Sequence, residues 1–86
     1  MTPVAAELLE GGQVVNPAGH ALGTIADVMV DLAAGTIAYV VLDAAAAGKF
    51  AVPWTALRPD PARERYVLDA PAGLELAAGV RKVEAG

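Results

Sequence analysis

An 86-residue chain with a net charge of −4, 56 % hydrophobic residues and no cysteine has room for one domain, and it excludes disulfides, thiolate catalysis and cysteine metal sites. Its six Lys and Arg residues are scattered: Lys49 is alone, Arg58, Arg63 and Arg65 are spread through an acidic loop, and Arg81 and Lys82 come near the end. With no basic stripe, binding to a phosphate backbone or an anionic membrane surface is disfavoured.

In chain order, Thr2 and Pro3 offer a cap and a first helical position, and Gly11-Gly12 supplies a stop. The pattern predicts a weak helix or arm over residues 3–9. The first dozen residues hold two acids and no basic stretch, so a signal peptide is not expected and a cytoplasmic location is. Gln13-Val14-Val15 reads as a short strand. Asn16-Pro17-Ala18-Gly19 reads as a turn, with proline presetting its second position. A strand pattern runs over residues 22–31, but its alternation is imperfect: Val28 and Val30 share a face that Ile25 does not. A β-bulge near Ala26-Asp27 would turn all three inward.

Asp31-Leu32-Ala33-Ala34-Gly35-Thr36 reads as a hairpin connection, with Gly35 available for positive φ. Residues 37–43 form the strongest strand, and apolar residues on both parities imply that both of its faces are covered. A turn or single helical turn ending at Gly48 comes next. Lys49-Phe50-Ala51-Val52 is the next strand, and Pro53 ends its ladder. Trp54 to Leu57 reads as a tight turn, and residues 58–65, with two prolines, as a polar loop. Tyr66-Val67-Leu68-Asp69 is a further strand, residues 71–78 a short helix, and residues 81–86 a frayed tail. No apolar run approaches the ~20 residues of a membrane helix.

Five to six short antiparallel strands with frequent turn signals point to an all-β sandwich or small barrel, and at this length a closed barrel removes sheet edges most economically. The core must come from Val, Leu and Ile with a few rings. An 86-residue domain is stabilised by only about 4–13 kcal/mol, and a second copy would widen that margin, so a homodimer is expected.

One ordered set of motifs is more specific. Gly19-His20-Ala21-Leu22-Gly23-Thr24-Ile25-Ala26-Asp27-Val28-Met29-Val30-Asp31 runs into Gly35-Thr36-Ile37-Ala38-Tyr39-Val40-Val41-Leu42, then Phe50-Ala51-Val52-Pro53-Trp54 with Leu57. This resembles the PRC-barrel family, with its turn glycine, Leu-Gly pair, Ile-x-Asp step, hairpin glycine, Ile-x-Tyr strand and Val-Pro-Trp close. The likeness spans roughly residues 8–69. It implies a small β-barrel occupying the chain, with its core at about residues 8–80. Such barrels occur in the cytoplasmic domain of the photosynthetic reaction centre H subunit and in the C-terminal half of a ribosome maturation factor, and there they act as docking surfaces. His20 stands where the family usually has a charged residue, and residues 43–48 are shorter and richer in alanine than the corresponding loop. The sequence holds neither the H subunit's membrane helix nor the ribosome factor's RNA-associated domain, so neither of those roles is expected to carry over.

Catalytic equipment is not evident. Serine and cysteine are missing and His20 is the only histidine, so a hydrolytic triad has no ordinary nucleophile. Asp27 and Asp31 could offer oxygens to a hard cation, but the plainer reading is that Asp27 caps the bulge and Asp31 opens the hairpin. Asp43, Asp60 and Asp69 read as turn acids, and the glycines match no phosphate or dinucleotide motif. Trp54, Tyr39 and Phe50 are the candidate partner contacts, each weighed against a place in the core or at its rim. The expected function is non-enzymatic protein–protein interaction or assembly, with no catalytic residue, metal or cofactor implied. The alternatives are a ribosome- or RNA-associated accessory factor, which would need a basic face, and a small-ligand or divalent-metal sensor using Asp27, Asp31 and His20.

Overall fold

The structure, a computed structural model, describes residues 11–70, 73, 74, 77 and 79–83. The helix expected over residues 3–9 lies outside them. Among the described residues seven strands form one mixed sheet: β1 (Gln13–Val15), β2 (Ala21–Asp31), β3 (Thr36–Asp43), β4 (Lys49–Pro53), β5 (Leu57–Asp60), β6 (Arg65–Leu68) and β7 (Arg81–Val83). Their order is β5-β6-β1-β2-β3-β4-β7. All neighbours are antiparallel except β1 and β6, which run parallel.

The turns form where local chemistry favours them. In the β1–β2 turn the Gly19 N–H donates to the Asn16 carbonyl at 2.8 Å, and the Asn16 Oδ1 accepts from the His20 N–H at 2.9 Å. In the β2–β3 hairpin the Asp31 Oδ1 accepts from the N–H groups of Ala33 and Ala34 at 3.0 and 3.2 Å. Gly35 there adopts φ +68°, a conformation that costs glycine little. The expected bulge in β2 is present: Ile25 pairs with Leu42 and Asp27 with Val41, leaving Ala26 as the extra residue. It turns Ile25 fully into the core and Val28 against it. Val30 does not follow. A second irregularity between Met29 and Val30 leaves Val30 54 % exposed, near the tip of the hairpin.

One apolar cluster covers one side of the sheet: Val14, Ile25, Val40, Leu42, Phe50, Val52, Leu57, Tyr66 and Leu68, completed by Ala70 and Leu74 from the segment after β6. Trp54 and Val80 pack against it. Alternation along β3 and β4 sends Val40, Leu42, Phe50 and Val52 inward and their neighbours outward.

Three expectations change. The 58–65 segment is not a polar loop, because Leu57–Asp60 is a strand paired with β6. Proline at 59 is tolerated because β5 is an edge strand, where a missing N–H can face away from the ladder. The frayed tail is in part a strand, since Arg81–Val83 pairs with β4. The barrel is not closed: among the described residues β5 and β7 are the two ends of the sheet and do not pair. A closing ladder would have to join a proline-bearing four-residue strand to one of three residues, and the core is completed by side chains instead. Both edges are short, and Pro59 further blunts one of them against adventitious strand addition. The short C-terminal helix expected over residues 71–78 falls largely outside the described residues; Gly73 within it has φ +101°, which is not helical, and Leu74 is buried.

Candidate docking face

The outer side of β2, β3, β4 and β7, away from the core, presents the side chains that alternate with the core positions. Cross-strand register arranges them in rows. Met29, Tyr39 and Pro53 form one row; Asp27, Val41, Ala51 and Arg81 the next; Thr24, Asp43, Lys49 and Val83 the third. Met29, Tyr39 and Val83 are 40, 37 and 39 % exposed, while Val41, Ala51 and Pro53 are half-buried by their neighbours. A shallow depression of about 430 Å³, lined by Ala38, Tyr39, Ala51, Pro53, Gly79 and Arg81, opens on this side. The result is an apolar patch bordered by Asp27 and Asp43 on the β2–β3 side and by Lys49 and Arg81 on the β4–β7 side. At the hairpin tip Leu32 is 90 % exposed.

The three aromatic candidates separate. Tyr39 is in the depression, its ring open to solvent. Phe50, one strand away, points the opposite way and is 1 % exposed, so it belongs to the core and offers no contact surface. Trp54 lies in the 3-10 turn Trp54–Ala56, half-buried, with its ring 5.8 Å from that of Tyr66 at 59°. A tilted pair of this kind contributes about 0.5–1.5 kcal/mol, and it ties the turn after β4 to β6. Burial of Tyr66 pushes its phenol above the ordinary tyrosine pKa by desolvation.

Apart from Asp27, the acids are distributed as turn and edge groups. The Asp31 and Asp43 carboxylates accept backbone N–H groups in their own turns, Asp43 from Ala45 at 3.0 Å. Asp60 accepts from its cross-strand neighbour Arg65 at 3.2 Å and from Arg63 at 3.5 Å. Asp27 is exposed on the outer face, and no hydrogen bond to the bulge backbone is formed among the described residues. His20 just precedes β2 and Asp31 ends it, eleven residues further on, a separation of up to about 36 Å at about 3.3 Å per residue. The three residues suggested for a cation therefore do not converge, and among the described residues no three His, Cys, Asp or Glu side chains could share a metal ion. No helix among the described residues is long and apolar enough to cross a membrane.

Met29, Val41, Ala51, Pro53 and Arg81 were not singled out by sequence reasoning. The signal that could have found them was the run of apolar residues on both parities of β3, which called for a cover on the second face. The structure leaves that face with Tyr39 exposed.

One apolar core, an apolar outer patch and acids held mostly in turns and at edges define a small all-β domain built on one mixed sheet. The sequence model of the PRC-barrel domain matches residues 1–75, and the chain belongs to that family. No curated protein matches it.

Proposed function

We propose that this chain is a non-enzymatic docking module, which holds a protein partner against the outer face of β2, β3, β4 and β7. The observation that carries the reading is the apolar patch of Met29, Tyr39, Val41, Ala51 and Pro53, bordered by Asp27, Asp43, Lys49 and Arg81. Flat apolar faces with a charged border are the common form of protein–protein interfaces, and tyrosine, methionine and arginine are enriched in them. Binding here depends on complementarity of shape and charge, with no bond made or broken.

The test compares partner capture from cytosol by the wild-type chain, by Tyr39→Glu on this face, and by Arg58→Glu on exposed β5. The reading expects partners that are lost with Tyr39→Glu and kept with Arg58→Glu. Equal capture by all three chains would reject the face.

A further inference from the structure

We infer that the partner of this face is a second copy of the same chain, seated about a two-fold axis that runs along the seam between β3 and β4. The inference rests on the docking reading above and names its occupant. It comes from the order of charges across the sheet. In the middle row Asp27, Val41, Ala51 and Arg81 stand side by side on β2, β3, β4 and β7. Three strand spacings of about 4.8 Å separate the acid from the base by ~14 Å, with the β3–β4 seam midway. In the next row Asp43 and Lys49 are direct cross-strand partners astride the same seam. Both rows are therefore antisymmetric in charge about one line.

A two-fold axis along that line, lying in the interface, exchanges the two sides of the sheet. Asp27 then faces the partner's Arg81, and Arg81 faces the partner's Asp27. Asp43 likewise faces the partner's Lys49, and Val41 faces the partner's Ala51. Such an isologous contact is self-complementary by construction. Asp27, Lys49 and Arg81 are exposed and Asp43 is half-buried, and among the described residues none of these four charged groups has an ion-pair partner within its own chain. Two four-stranded faces of this size would bury on the order of 1,000 Å² in total, the lower end of specific interfaces, which corresponds to a reversible dimer.

The experiment is sedimentation velocity of the full chain from 1 to 200 µM, with Asp27→Arg and Arg81→Asp variants alone and mixed. The wild type is expected to dimerise reversibly within this range. Each charge reversal sets two pairs of like charges against each other and should weaken self-association at least tenfold. An equimolar mixture of the two variants should restore a dimer. In it the arginine introduced by Asp27→Arg meets the aspartate introduced by Arg81→Asp, and the native Asp27–Arg81 pair re-forms at the second contact. Circular dichroism of each variant confirms folding before sedimentation. A wild type that stays monomeric at 200 µM, variants that dimerise as the wild type does, or a mixture that stays monomeric would each overturn the inference. A monomeric wild type whose captured partners still depend on Tyr39 would leave the docking reading intact and remove only the second copy.

Discussion

Gly23→Ala adds one methyl group where the sheet has no room for it. An ideal Cβ on Gly23 lies 2.5 Å from the Asp43 carbonyl oxygen, 3.0 Å from its carbon and 3.2 Å from the Ala44 Cα. All three obstacles are backbone, so no side chain can swing aside. To reach an ordinary contact of ~3.4 Å, the end of β3 must retreat by about 0.9 Å. That retreat pulls on the Thr24–Asp43 pairing and on the turn in which Asp43 binds the Ala45 N–H. Overpacking of this kind costs about 1–3 kcal/mol. Replacing glycine also stiffens the unfolded chain, worth about 0.4–1 kcal/mol in the opposite sense. The clash wins, leaving a net loss of about 1–2 kcal/mol, which for a domain of this size lowers Tm by roughly 4–16 °C. Urea unfolding followed by circular dichroism reads the change as a lower midpoint at constant slope. A midpoint equal to or above that of the wild type would show that β2 and β3 do not approach this closely, and the steric reasoning would fail.

Other outcomes depend on single features. Phe50→Ala empties a site that is 1 % exposed and should cost about 3–5 kcal/mol, a large share of the stability of a domain this small; a loss under about 1 kcal/mol in urea would remove Phe50 from the core. Glu64 sits at φ 52°, where asparagine is better tolerated, so Glu64→Asn should raise stability by about 0.5–1 kcal/mol; a lower midpoint would contradict the left-handed turn. The folded-state pKa of Tyr66 is raised by burial, so the native state holds the phenol proton more tightly than the unfolded state. The stability this contributes is fully present below the unfolded pKa of about 10 and is lost as pH rises from there through the folded value. Between about pH 9 and 11 the wild type should therefore lose more stability than Tyr66→Phe; parallel curves would argue against a buried phenol.

Local elements were legible because their signals are local. The Asn16–Gly19 turn, the Asp31 hairpin, the β2 bulge and the β4 strand ended by Pro53 each arise from a few neighbouring residues whose backbone preferences agree. The ordered motifs from Gly19 to Leu57 carried the family for the same reason. What was missed depends on distant partners. Proline at 59 argues against a strand until β5 is known to be an edge. Arg81-Lys82-Val83 has no pattern of its own and becomes a strand only because β4 offers an unpaired ladder.

The candidate face divides in the same way. Tyr39 and Phe50 are both aromatic strand residues, and composition could not say which one faces solvent. Residue alternation and the Tyr39–Pro53 and Leu42–Phe50 pairings settle it, since one side of the sheet is turned to the core. The amino-acid order by itself determined where the chain turns, which short stretches extend and which family they belong to. The tertiary structure alone decided that the sheet stays open among the described residues, that Arg81 lies in a row with Asp27, and that opposite charges flank one seam. Turns and strands need only nearby atoms, whereas charge order across a sheet is created when segments far apart in sequence are brought into register.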